Sequence, residues 1–196
     1  MFTAKCNLWC YLRELILIPL FLGMILFETE RLIVKRFTAD DAENFFLLNG
    51  NAEAMHFIRP AKNRKESDAF LSENLRFYLD GSSLGRFAVY EKALGHFLGT
   101  FSFLYLSGEA DFHVGYALLP EAWGKGFATE LVRSGTNYFF EKTGKKELFA
   151  ITDSANLPSQ QVLLKSGFYK KGQVVEDGKT LELFCISAAG NDIAGK

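Results

Sequence analysis

From position 121 to 132 the chain reads EAWGKGFATELV: Trp123, then two glycines flanking Lys125, then a helical pattern opening at Phe127. Each glycine costs backbone entropy, so two at a strand-to-helix junction need a reason. The first turn of a helix has N–H groups without intrahelical acceptors and a partial positive charge, which suits an anion. Glycine lets a phosphate approach the backbone where a Cβ would stand in the way, and Lys125 adds mobile positive charge. The arrangement suits a pyrophosphate, with an ordinary turn and helix start as the alternative. A Walker loop is excluded, because Gly126 and not Ser or Thr follows Lys125. A dinucleotide fingerprint is excluded as well: no third glycine stands in register near Glu130.

Other chemistry-bearing residues are sparse. His56, His96 and His113 are scattered without ligand spacing, and Cys6, Cys10 and Cys185 give neither a disulfide framework nor a zinc site; the reading is no metal and reduced thiols in a cytoplasmic protein. A net charge of -1 gives no reason to expect nucleic acid. With 48% apolar and 23% charged residues, the 196-residue chain can bury one substantial core, and its 20 Phe suggest aromatic walls to a core or pocket.

The elements that must position the glycine loop follow from periodicity. Residues 31–37 alternate as a strand with Leu32, Val34 and Arg36 on one face. A helix follows, capped by Thr38 and ended by Gly50; 51–60 is irregular, and 65–79 is a second helix stopped at Asp80-Gly81. Three aromatic, β-branched segments at 86–91, 96–106 and 110–119 read as successive antiparallel strands. Then come a helix at Phe127–Thr143, a strand at Glu147–Thr152, a helix at 157–166 and two strands turned at 176–179. The order β-α-α-β-β-β-α-β-α-β-β predicts an α/β fold of the α+β mixed-sheet kind, with helices on both faces, because the middle βαβ unit pairs its strands in parallel. Residues 15–27 are continuously apolar apart from Gly and Pro, yet too short to span a bilayer. Residues 1–23 read as an N-terminal extension, either upstream of a natural start at Met24 or an ordered extra segment, with a membrane anchor as the rival; 24–196 reads as the domain.

HVGYALLPEAWGKGFATEL followed by NLPSQQVLLKSGF resembles the GNAT superfamily of N-acetyltransferases, and more narrowly the branch of the RimJ/RimL enzymes, which acetylate N-terminal amines of ribosomal proteins. ETERLIVKRFTADDAENFF and NAEAMHFI are similar to that branch too, so the likeness runs from about Met24 to Ile186. The resemblance implies a central, mostly antiparallel sheet with a splayed parallel pair. It implies that Trp123, Gly124, Lys125, Gly126, Phe127, Ala128 and Thr129 hold the pyrophosphate of acetyl-CoA. Trp123 stands where Gln or Arg is usual, which removes a polar side chain but no backbone amide. The pantetheine arm would bond free backbone groups of Tyr116, Ala117 and Leu118, and Asn156.

In such an enzyme the amine attacks the thioester directly and needs a base. His113 is the candidate: it precedes Val114-Gly115-Tyr116 where the branch often has Glu, and its imidazole ordinarily titrates near neutrality. Asp111, two residues back on the same strand face, could orient it. An ordinary, hydrogen-bonded strand histidine is the alternative. Many relatives place a tyrosine seven residues after the Asn to protonate the leaving thiolate; here Leu163 stands there. Ser159 sits where the RimJ/RimL branch uses serine for that purpose, its alternative being a local backbone bond. Residues 55–59, Phe57 in particular, would lie near the acceptor mouth, unless Phe57 is core. The implied function is acetyl transfer to a primary amine, on a protein N-terminus or a small molecule, by a monomer or homodimer without a membrane role. The rival is an acyl-CoA-binding module without turnover.

Overall fold

The computed structural model describes residues 25–79, 84–106, 111–176 and 178–191. The strands are β1 (Ile25–Glu28), β2 (Leu32–Arg36), β3 (Gly85–Glu91), β4 (Phe97–Tyr105), β5 (Phe112–Leu118), β6 (Glu147–Thr152), β7 (Tyr169–Glu176) and β8 (Lys179–Ser187). The helices are α1 (Ala42–Asn49), α2 (Ala52–Met55), α3 (Arg64–Phe77), α4 (Phe127–Thr143), α5 (Leu157–Lys165) and α6 (Ala188–Asn191). The strands form one sheet in the order β1-β2-β3-β4-β5-β6-β8-β7.

Only β5 and β6 pair in parallel, and they do so at just two positions, His113 with Phe149 and Val114 with Ala150. Both strands continue, β5 to Leu118 and β6 to Thr152, without further pairing to each other. The sheet therefore splits there, as the resemblance implied. The β5–α4–β6 crossover forces the parallel arrangement, because a connection of that length carries the chain back to the same end of the sheet.

The two faces bury different sets of side chains. Phe87, Val89, Phe101, Phe103 and Val114 pack against Phe127, Leu131, Val132 and Phe139 of α4 and Leu163 of α5. In α4 the buried residues, from Phe127 through Leu131, Val132 and Gly135 to Phe139, recur at helical spacing and make one stripe. Gly135 belongs to that stripe because a Cβ there would stand 2.3 Å from the Phe101 ring. On the opposite face Ala88 meets Phe37, Phe45 and Leu71 beneath α1 and α3.

Three sequence expectations shift. The end of the apolar 15–27 run is sheet: Ile25–Glu28 pairs antiparallel to β2, a strand the lack of alternation hid. The segment taken as irregular holds α2, whose first turn is nucleated by Asn51 accepting from the amides of Glu53 and Ala54 at 3.0 and 2.9 Å. Thr38 starts a 3-10 turn before α1, and there the Asp41 carboxylate accepts from its amide and hydroxyl. The expected stop at Asp80-Gly81 and residues 1–24 lie outside the described residues. At the end of α5, Gly167 takes φ 92° and the Phe168 amide reaches back to Leu163, the predicted glycine-ended helix.

Candidate active site

After β5 the chain makes a 3-10 turn at Pro120–Ala122 and enters the glycine loop. Gly124 and Gly126 have φ of 72° and 81°, a region costly for any residue with a Cβ. Nothing of the protein lies within 4 Å of a Cβ built on Gly124, so there the demand is conformational. Gly126 opens α4 without any side-chain cap, and the first intrahelical bond belongs to Glu130, which donates to Gly126. Asn51, Asn63 and Asn156 cap their helices. Among the described residues, the amides of Phe127, Ala128 and Thr129 have no protein acceptor. These residues line a cavity at the start of a 17-residue helix, where uncapped amides suit an anion.

The loop is held from behind by a residue the sequence did not single out. Arg31 donates to the Lys125 carbonyl at 3.0 Å, pairs with the Glu130 carboxylate at 2.7 Å and lies 4.5 Å from the centre of the Phe127 ring. Burial pushes the Glu130 carboxyl up, but the Thr29 hydroxyl and Arg31 more than offset it and hold it below its ordinary value. Lys125 contributes its carbonyl to this clamp, and its side chain does not line the cavity described next.

A cavity of about 1120 Å³ runs from Trp123, Gly124 and the Gly126–Thr129 turn past Tyr116 to His113. Its middle is the split between β5 and β6. Leu119 donates to Leu98 and Leu106 to Asp111, so residues 113, 115 and 117 exchange hydrogen bonds with β4 and residues 116 and 118 turn their backbone groups toward β6. Beyond Val114 those groups have no strand to meet. Ala117 is thus turned to β4, and the Leu118 carbonyl accepts from the Trp123 indole at 2.8 Å. The groups left open to the split are the amide and carbonyl of Tyr116 and the amide of Leu118, fewer than the sequence suggested. Trp123, standing where a polar residue is usual, spends its one donor closing the strand end.

His113 and Tyr116 leave β5 on opposite faces. The His113 ring is 8% exposed, and its Nδ1 is buried with no hydrogen-bond partner. Burial first, then the neighbouring Arg86, lower its pKa to about 4, against a smaller upward pull from the Tyr105 backbone. The expectation of titration near neutrality does not hold, because no carboxylate offsets the desolvation. Asp111 is exposed and makes no contact that orients the ring; it sits at the open end of the strand.

On the other face the Tyr116 hydroxyl lies 3.0 Å from the Ser159 Oγ. Burial pushes the phenol up to about 12, with Ser159 working in the opposite sense. Ser159's hydroxyl therefore has a side-chain partner and not the local backbone bond. Asn156 Oδ1 accepts from the Ser159 amide at 3.2 Å, which caps α5 and turns the side chain toward the cavity wall. Leu163, where many relatives carry tyrosine, is buried core. Phe57 lines the cavity beside His56, whereas Met55 is fully buried against Leu48 and Leu119 and belongs to the core. Arg59, within the expected 55–59 segment, and Arg86, which the sequence did not single out, line the same end. Among the described residues no three His, Cys, Asp or Glu side chains group as metal ligands.

The acetyltransferase (GNAT) domain family matches residues 31–169, a span holding the glycine loop, the strand split and α5. The chain belongs to the GNAT acetyltransferase family. A Bacillus subtilis protein called uncharacterized N-acetyltransferase YoaA is 27% identical over 148 residues, 74% of this chain and 83% of that one. Two solved structures share the GNAT fold. The ribosomal-protein-S5-alanine acetyltransferase of Vibrio fischeri has a TM-score of 0.65 at 22% identity, covering 82% of this chain and 95% of that one. The spermidine N-acetyltransferase of Vibrio cholerae, solved with CoA and spermine, has a TM-score of 0.68 at 18% identity, covering 82% and 97%. GNAT enzymes named for acceptors as different as a ribosomal protein and a polyamine resemble the chain to a similar degree, so these likenesses carry the fold and leave the acceptor to the site. Among the described residues no helix is long and apolar enough to cross a membrane.

Proposed function

We propose that this GNAT protein transfers acetyl from acetyl-CoA to a primary amine by direct attack, in the manner of the RimJ/RimL-like branch. The observation that carries the reading is the row of acceptor-free amides at Phe127, Ala128 and Thr129, joined by one cavity to a strand split with free backbone donors. The amides and helix dipole bind the pyrophosphate, helped by the left-handed glycines that aim them. Asn156 and the Tyr116 backbone take the pantetheine arm. Acetyl-CoA supplies the activated acyl group as a thioester. The Tyr116 amide can donate to its carbonyl oxygen as negative charge develops there.

The two faces of β5 divide the proton work. His113, neutral at working pH, takes the proton that the amine nitrogen gives up as it bonds to the acyl carbon. Ser159, backed by the Tyr116 hydroxyl, donates to the sulfur as the C–S bond breaks. An amine panel assayed by CoA thiol release tests this. His113→Ala and Ser159→Ala should each lower kcat by about 100-fold or more. Unchanged rates in both would remove these assignments, and CoA binding without release for any amine would favour the turnover-free binding module.

A further inference from the structure

Three cations converge on one aromatic ring, and two of them, Arg59 and Arg86, line the far end of the cavity. Arg59, Lys62 and Arg86 lie 4.8, 4.9 and 4.5 Å from the centre of Phe70. Among the described residues none of the three forms an ion pair with a carboxylate. Arg59 is tied from behind: its Nη2 donates to Asn49 Oδ1 at 2.6 Å, and the Asn49 amide in turn donates to the Phe45 carbonyl. Its Nε is buried with no hydrogen-bond partner. Burial, then Arg86, lower Arg59 to about 10; burial lowers Arg86 as well, with Glu73 and Tyr78 pulling the other way. Glu53 and Asp153 also line the cavity, yet neither forms an ion pair with either guanidinium.

Leaving two guanidiniums partly desolvated and close together is costly unless an anion joins them. That anion is not the pyrophosphate. Arg86 pairs with Ser102 across β3 and β4, and Ser102 pairs with Gly115 across β4 and β5. From Gly115 to the strand end at Leu118 is roughly 10 Å of extended chain, and the glycine loop lies further on. Arg86, Ser102, Gly115 and His113 share the face opposite α4, where the acceptor must approach the thioester.

We propose that the amine acceptor carries a carboxylate, gripped by Arg59 and Arg86, with its amine directed toward the β5–β6 split: an amino acid and not a polyamine or aminoglycoside. This rests on the acetyl-transfer reading and names its substrate class. Guanidinium forks match carboxylates bidentately, and both guanidinium side chains line this end of the cavity. The bound carboxylate would also neutralise the charge that Arg86 presses on His113, strengthening the base only when the acceptor is in place.

The test compares amino acids with their own carboxamides, and includes spermidine. Thiol release is measured with acetyl-CoA, and calorimetry is run on CoA-saturated protein. The acid should exceed its amide about tenfold or more in both kcat/KM and affinity, and spermidine should be the poorest acceptor. Arg86→Gln and Arg59→Gln should each erase the difference while the affinity for CoA stays put. Equal use of acid and amide, or a preference for spermidine, overturns the inference and leaves acetyl transfer standing. Tighter binding of the acid without turnover of any amine does the reverse. The wild-type comparison decides the matter even where a variant fails to fold.

Discussion

At the scale of single residues, His113 is the side chain whose environment makes the sharpest statement. Its pKa lies near 4 in the fold against 6.5 in the unfolded chain, so the unfolded state binds its proton first as pH falls. The stability tied to its neutral form is present above pH 6.5 and is lost between 6.5 and about 4, at a cost of roughly 3 kcal/mol. Replacing His113 with Gln should flatten that part of the stability-against-pH curve, measured by denaturant titration from pH 4 to 7. The same depressed value predicts that free-enzyme kcat/KM shows no inflection near 6.5; a histidine limb there would contradict the burial argument. Arg31 makes a complementary case. Arg31→Met removes the clamp on the Lys125 carbonyl and Glu130, and should raise the KM for acetyl-CoA about tenfold while barely moving the acceptor's KM.

At the scale of elements, the strand split and the uncapped helix are what the proposed site requires, and both depend on packing elsewhere. α4 can bring its bare N-terminus to the cavity because its stripe seats against Phe101 with only a hydrogen at Gly135. Gly135→Ala should therefore destabilise the fold by about 1–3 kcal/mol through overpacking, despite alanine's better helix propensity, and thermal melts would read it. A stabilised variant would mean that Phe101 yields easily. Helix and strand periods made α3, α4, β5 and β6 legible in the chain. β1 was not legible, because an apolar run without alternation looks the same whether it is strand, core helix or leader. α2 escaped because four residues are too short for a period, and only the Asn51 cap marks it.

At the scale of the whole molecule, the topology explains why the conformation of the glycine loop could be read from sequence and the surroundings of His113 could not. The glycine loop is contiguous, and its proposed function rests on backbone conformation at Gly124 and Gly126. The surroundings of His113 are assembled from distant segments: Arg86 of β3 lies beside His113 of β5, and Arg59 after α2 beside Arg86, only when the sheet and the α1–α3 layer close on one another. Asp111 looked like the partner of His113 by strand spacing alone, yet tertiary contacts put a cation beside the ring and left the carboxylate in solvent. The pairing of Tyr116 with Ser159 likewise depends on α5 docking beside the split.

The grip of the α4 N-terminus on a diphosphate is the claim on which the rest stands, and isothermal titration of CoA into the protein tests it most directly. The wild type should give measurable heat and competition by inorganic pyrophosphate, and Gly126→Val, whose side chain opposes the left-handed turn, should weaken affinity about tenfold or more. Absence of heat with folded wild-type protein, or equal affinity in Gly126→Val, would contradict it.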